Sequence, residues 1–143
     1  MLSDCAIVER PSSGPRPQPG IARLSDSADL AVAESLRAQA EAIQQLGENW
    51  NTYGARSVRR ELLLDGWGLA QSLVKLGCRA PQLVPTARGG VQLEWHERGR
   101  DLEVEVRELG VYTVYTCRGD EDEEFSVSDD VSRIRDLAHA FSR

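Results

Sequence analysis

The spacing of apolar residues changes near Pro81, and this change strongly limits the folds open to the chain. Before Pro81, apolar side chains recur every three or four residues, as along one face of an α-helix. Beyond it they alternate with polar ones, as on a strand with one buried face. Helices followed by such strands predict an α+β fold in which helices cover the apolar face of an antiparallel sheet.

Two amphipathic helices are predicted before Pro81. The first spans about 28–46, and the second follows Ser57 and ends at Gly77, where glycine readily takes a left-handed conformation. Gly66 and Gly68 interrupt the second pattern, and each lowers helix propensity. We expect them to permit close packing or a local bend.

After Pro81 the sequence predicts an antiparallel meander of four or five strands and a final helix. The acidic run at 120–124 is predicted to be a loop, and the final helix to begin near Ser128 or Asp129, which favour helix N-termini. The predicted strands are a short one from Leu83, then 91–96, 102–106, 111–117 and a short one at 125–127.

The amino-terminal region differs in composition from the rest. Four of the six prolines lie between residues 11 and 19, so residues 1–25 are predicted to be a flexible Pro-rich tail and 26–143 a single α+β domain. No apolar stretch approaches the roughly 18 residues of a membrane span, and the first 20 residues lack a secretory signal pattern. We therefore expect a cytoplasmic protein that does not insert into membranes.

The acidic charge is concentrated in the strand region. The chain has 23 Asp+Glu against 17 Lys+Arg, a net charge of −6, and residues 94–130 hold 13 of the acidic residues and four of the basic ones. Direct binding to duplex DNA needs concentrated Lys and Arg, so it is not expected. A basic protein partner, such as one that itself binds nucleic acid, fits better. The acidic residues proposed to contact it are Glu103, Glu105, Asp120, Glu121, Asp122, Glu123 and Glu124.

Two aromatic residues lie in the short connection between the predicted helices. Trp50, Asn51 and Tyr53 belong to the segment Asn-Trp-Asn-Thr-Tyr-Gly-Ala, whose Asn, Thr and Gly residues favour turns. The aromatic side chains either pack beneath the helices or form an exposed recognition loop. The sequence leaves both alternatives open. Trp50, Asn51 and Tyr53 complete the set of residues predicted to bind a protein partner.

Gly89 and Gly90 predict the tight turn of a β-hairpin. A phosphate-binding loop is the competing interpretation. The segment lacks the GxxxxGK[ST] spacing, and no helix follows to offer its N-terminus. We therefore favour the hairpin.

These two segments together resemble a group of small bacterial and phage proteins of uncharacterised function. That group has NWD-x-YGA and then PT-x-x-GGV-x-LEW, and the resemblance runs from about residue 49 to 106. It implies a compact α+β domain and no particular activity. Asn51 stands where the group usually has Asp, although a turn-forming hydrogen bond would survive this change. The matching residues are Trp50, Tyr53, Gly54, Ala55, Pro85, Thr86, Gly89, Gly90, Val91, Leu93, Glu94 and Trp95.

No set of residues predicts catalysis, a cofactor or a metal site. Cys5, Cys78 and Cys117 are widely spaced and form no CxxC pair, which fits reduced thiols. His96 and His139 are expected at the surface. The leading hypothesis is a non-enzymatic interaction module, a subunit or an accessory or inhibitory factor of a bacterial or phage assembly.

Two other functions remain as alternatives. The first is a small enzyme with a site near Trp50, Tyr53 and Trp95, which requires a pocket where polar groups converge. The second is single-stranded nucleic-acid binding by aromatic stacking, which requires basic residues beside the aromatics. Near the first aromatic segment these are Arg56, Arg59 and Arg60.

Overall fold

A computed structural model describes residues 19–142 and confirms the predicted α+β class and element order. Two helices precede a five-stranded antiparallel sheet, and a third helix follows it. Within the described residues no helix is both long and apolar enough to cross a membrane. The elements are α1 Pro19–Gln44, α2 Arg60–Lys75, β1 Gln82–Pro85, β2 Val91–Glu97, β3 Arg100–Glu108, β4 Val111–Arg118, β5 Glu121–Ser128 and α3 Ser132–His139, with a 3₁₀ turn at Ala140–Ser142.

Helix α1 begins at Pro19, nine residues before the predicted start at residue 28. Proline suits the first position of a helix, because the missing N–H would have no helical partner there. Residues 19–25 of the predicted tail are therefore helical, and its first 18 residues lie outside the described part of the chain.

The end of α2 follows the predicted glycine signal. Gly77 has a φ of 95°, its N–H donates to the Val74 carbonyl at 2.9 Å, and the Cys78 N–H donates to the Leu73 carbonyl at 3.0 Å. This is the Schellman pattern, in which two hydrogen bonds satisfy the last helical carbonyls. A residue with a Cβ would be strained at position 77.

The sheet is a simple meander in which each strand pairs with its neighbours in sequence. Val91 lies opposite Val106, and Trp95 lies opposite Leu102. These residues belong to the side that packs against the helices, and they join one hydrophobic core. The alternate residues consequently point to the other side of the sheet.

The prediction of a loop at 120–124 was wrong, because β5 begins at Glu121. Its pairing with β4 is unbroken from Arg118 opposite Glu121 to Val111 opposite Ser128. Backbone hydrogen bonds to β4 outweigh the low strand propensity of the acidic residues. Because the side chains of residues 121–124 are exposed, their charges stay hydrated in the strand.

Helix α3 begins at Ser132, later than the predicted start near Ser128 or Asp129. Asp130 accepts a hydrogen bond from the Ser132 N–H at 3.0 Å, which satisfies one of the unpaired donors at the helix start. Ile134, Ala138 and Phe141 recur at steps of three and four residues, and all three are buried.

Gly66 lets α2 lie close to the sheet. A Cβ at this position would come within 2.7 Å of Val91 Cγ1 and 3.2 Å of Val106 Cγ2, whereas a Cβ on Gly68 would meet nothing within 4 Å. The two glycines that weaken the helical pattern thus differ in their surroundings. Gly66 is required for packing, and Gly68 is not.

We expect Gly66→Ala to lower the free energy of unfolding by about 1–2 kcal/mol, because overpacking against two valines exceeds the gain in helix propensity. Gly68→Ala is the matched control in the same helix, and it should be neutral or stabilise the fold by up to about 1 kcal/mol. Urea unfolding of both variants measures the difference. Equal effects at the two positions would contradict the packing role of Gly66.

A buried tyrosine links the sheet to α2. The Tyr112 hydroxyl donates to Asp65 Oδ1 at 2.8 Å, and Asp65 Oδ2 accepts the Gly110 N–H at 2.9 Å. Burial, together with the Asp65 carboxylate, raises the pKa of the Tyr112 hydroxyl well above its usual value. The folded protein therefore favours the protonated tyrosine.

Because its folded-state pKa is raised, Tyr112 should contribute stability that is fully present below about pH 10 and is lost as the pH rises further. Tyr112→Phe should cost about 1–2 kcal/mol at neutral pH through the lost hydrogen bond. It should also lose less stability than the wild type between about pH 8 and about pH 10.5 in urea unfolding. An identical loss in both proteins would exclude this role for Tyr112.

Candidate functional site

The side of the sheet that faces away from the core carries a group of carboxylates, which we call the acidic face. Leu93 and Trp95 of β2 point into the core, so strand alternation makes Glu94 between them point to the acidic face. The register across the sheet places Asp122 of β5 on the same face. The predicted solvated polar face of the sheet is thus present. The acidic face consists of Glu94, Asp101, Glu103, Glu105, Asp122 and Glu124.

Tyr115 lies at the centre of the acidic face. It is opposite Glu103 on β3 and opposite Glu124 on β5, so a carboxylate flanks the tyrosine on each side. A hydrogen bond with Cys117, together with the nearby carboxylates, raises the pKa of Tyr115 to about 12. The Tyr115 hydroxyl is therefore neutral at physiological pH and can donate a hydrogen bond.

A shallow cavity of about 290 Å³ opens at Tyr115. Glu103, Glu105 and Glu124 contribute three carboxylates to its lining, and Tyr115 contributes an aromatic ring. Such an arrangement suits a cationic group, which gains from both the carboxylates and the ring face. The full lining is Gln92, Glu103, Glu105, Thr113, Tyr115 and Glu124.

The carboxylates of the cavity are not equivalent. Glu105 already pairs with Arg88 at 3.4 Å and with Arg107 at 3.3 Å. Burial, followed by the neighbouring Glu94 carboxylate, raises the pKa of Glu103. Glu103 thus carries a charge that the folded protein disfavours, and a bound cation would relieve this cost.

His96 links β2 to β3 on the acidic face. Its Nδ1 lies 2.7 Å from Asp101 Oδ1, and its Nε2 lies 3.0 Å from Glu94 Oε1. The hydrogen bonds with Asp101 and then Glu94 raise the pKa of His96. Sequence reasoning placed His96 at the surface but missed this cluster. The turn between β2 and β3 was the available signal, since it brings His96 opposite Asp101.

The acidic run of residues 120–124 does not form one surface. Asp122 and Glu124 belong to the acidic face, whereas Glu121 and Glu123 point to the other side of β5 by strand alternation. Glu123 pairs with Arg133 of α3 at 3.0 Å. Asp120 lies in the turn before the strand.

The aromatic segment between α1 and α2 divides into an anchored and an exposed residue. Trp50 is half-buried, and its Nε1 donates to the Arg56 carbonyl at 3.0 Å. Tyr53 is 90% exposed. The two sequence alternatives therefore each describe one residue, with Trp50 packed and Tyr53 available to a partner.

Asn51 organises the turn that carries Tyr53. Its Oδ1 accepts hydrogen bonds from the Tyr53 N–H at 2.8 Å and from the Ala55 N–H at 3.1 Å. This is the turn-forming role that a carboxylate could also perform at this position.

Trp95 lies elsewhere, in the core. It is 1% exposed, and its Nε1 donates to the Arg79 carbonyl at 2.7 Å. The hypothetical enzyme site near Trp50, Tyr53 and Trp95 required these aromatics to line one pocket. The buried position of Trp95 and the exposed position of Tyr53 do not supply that geometry.

No protein-family model, curated protein or solved structure matches the chain. The resemblance of its two motifs to a bacterial and phage group stays a prediction.

The glycine turn of the second motif contacts the residues that follow the first motif, through backbone hydrogen bonds. The Arg56 N–H donates to the Ala87 carbonyl at 3.0 Å, and the Arg59 N–H donates to the Gly89 carbonyl at 2.8 Å. The glycine turn is a hairpin between β1 and β2, as predicted, and Gly89 has a φ of 91°. The hairpin thus supports the chain segment that connects the aromatic turn to α2.

We expect Asn51→Ala to destabilise the protein by about 1–2 kcal/mol, because two backbone N–H groups lose their acceptor. Asn51→Asp keeps an acceptor oxygen at the same place and should change stability by less than about 0.5 kcal/mol. Thermal unfolding of both variants checks this expectation. If aspartate destabilised as much as alanine, the hydrogen bonds of Asn51 would not be what holds the turn.

Proposed function

We propose that the protein is a non-enzymatic cytoplasmic interaction module that binds a basic segment of a protein partner on its acidic face. A lysine or arginine of the partner would enter the cavity at Tyr115. The observation that carries this proposal is the cavity lined by Tyr115 and by three glutamates, Glu103, Glu105 and Glu124. The protein would act as a subunit or as an accessory or inhibitory factor of a larger assembly.

The electrostatics of the acidic face beside the cavity support a cationic guest. Glu94 and Glu103 lie directly opposite each other on β2 and β3, and like charges in that position destabilise a sheet. A guanidinium group offers five donors in a planar fork, so it can contact two carboxylates and stack on a ring. Binding would therefore reduce a repulsion already present in the free protein.

The position of the acidic face supports access for a partner. The core, which includes buried residues of α1, α2 and α3, occupies the opposite side of the sheet. A charged sheet surface with a shallow cavity suits a basic strand, helix or loop more than a small substrate, which prefers a deep and mostly apolar pocket. A nucleic-acid-binding protein would present such basic segments, and an inhibitory factor would cover them.

Tyr53 is proposed as an additional contact. Exposed tyrosines are favoured interface residues because they bury a large area with few rotatable bonds. Trp50 and Asn51 would act indirectly, by holding the turn that presents Tyr53. Tyr53 would contact the partner separately from the acidic face, because it lies in the connection between two helices that pack on the other side of the sheet.

The proposal is tested with a fluorescent arginine-rich peptide and fluorescence anisotropy at low salt, with a metal chelator present. The double variant Glu103→Gln/Glu124→Gln should weaken binding by about tenfold, because two carboxylates of the cavity lose their charge. Binding by the wild type should also weaken steeply as salt is added.

The matched control is Glu34→Gln/Glu41→Gln, which removes two exposed charges from α1. It changes the net charge by the same amount and should weaken binding less than about twofold, since α1 does not form the face. Equal losses in the two double variants would show unspecific attraction to an acidic protein. That result, or the absence of binding by the wild type, would overturn the proposed site.

A further inference from the structure

Four side chains with metal-ligating atoms form a compact square on the acidic face. Glu94 and His96 are two residues apart on β2 and point to the same side of the sheet. Glu103 lies opposite Glu94, and Asp101 lies opposite His96, on β3. The register of the β2–β3 hairpin thus brings together one imidazole and three carboxylates. Strand alternation places all four on the same side of the sheet but does not make them neighbours.

Three of these residues already have the proximity that a metal ion requires. One ligand atom from each of Glu94, His96 and Glu103 lies within 4.8 Å of the others. Ligands at about 2.1 Å from a tetrahedral metal are about 3.4 Å apart, so the most widely separated ligand atoms need to approach by no more than about 1.4 Å. Rotation of side chains at a solvated sheet surface can supply this movement, and no strand needs to shift.

Asp101 gives His96 the orientation of a metal ligand. Its Oδ1 lies 2.7 Å from His96 Nδ1, while Nε2 faces Glu94 Oε1 at 3.0 Å. Metal-ligating histidines commonly donate their other ring N–H to a carboxylate, which fixes the tautomer and directs the free nitrogen to the metal. This contact distinguishes the cluster from a random group of surface acids, because it directs Nε2 towards the carboxylates.

We propose that Glu94, His96 and Glu103 bind a divalent transition-metal ion, with Asp101 as the residue that positions His96. One imidazole nitrogen and two carboxylate oxygens suit Zn²⁺ and similar ions, whereas Ca²⁺ and Mg²⁺ prefer oxygen ligands alone. Water would complete the coordination on the solvent side. The proposal goes beyond peptide binding and does not depend on it, although Glu103 belongs to both sites.

The charges on the square favour a cation. Two carboxylates face each other at Glu94 and Glu103, and His96 contributes the nitrogen ligand. A divalent ion would contact both carboxylates and remove their mutual repulsion. Metal binding would also lower the negative charge of the acidic face near Tyr115.

The test is calorimetric titration of the full chain with Zn²⁺ and, in parallel, visible absorption with Co²⁺ as the probe. We expect one ion per chain and bands of nitrogen and oxygen coordination. His96→Gln should lower the affinity by at least about tenfold, and Asp101→Ala, which removes the acceptor for His96 Nδ1, by about tenfold through loss of orientation. Both residues lie on the solvated face, so circular dichroism should show folded variants.

Glu124→Gln is the matched control, because it removes one charge from the same face outside the square. It should change metal affinity less than about twofold. Absence of saturable binding would overturn the proposal, as would equal affinity of His96→Gln and the wild type. Thiolate bands with Co²⁺ would assign the ion to cysteines and would also overturn it. The metal titration contains no peptide, and the peptide-binding assay contains a metal chelator. A negative result in one experiment therefore does not affect the other.

Discussion

The close approach of α2 to the inner side of the sheet organises this molecule. At Gly66 the helix meets Val91 and Val106 with no room for a Cβ, and the inner residues of β2 and β3 are almost completely buried. Once one side of a strand is fixed against helices, the period of two assigns every other residue to the solvent side. The same contact that forms the core therefore determines which carboxylates share the acidic face.

Much of this arrangement follows from local sequence patterns. Alternation at 91–96 and 102–106 predicted both sheet faces, and Gly77 predicted the end of α2. The strand at Glu121 was missed because acidic residues have low strand propensity, whereas their pairing with β4 is a tertiary effect. The start of α1 at Pro19 was missed because its first residues lack the apolar spacing on which the prediction relied.

The candidate site was harder to predict than the fold. Sequence reasoning identified Glu103 and Glu105 as partner-binding residues. It could not show that Glu105 already forms ion pairs with two arginines, which makes it less available to a partner. The contact of His96 with Asp101 depends on the register across the β2–β3 turn, and a shift by one residue would separate the pair. Trp50 and Tyr53 lie in the same turn-forming segment of the sequence. Only the packed structure shows that Trp50 is half-buried and Tyr53 is exposed.

The meander has a consequence for how the chain reaches this structure. Every strand pairs with its sequence neighbours, so each hairpin closes a short loop with a small entropic cost. Folds rich in such local contacts form faster than β-proteins that depend on distant pairings. The apolar side of the sheet, in contrast, is covered by helices that lie outside the meander, so its protection from other molecules depends on contacts more distant in sequence.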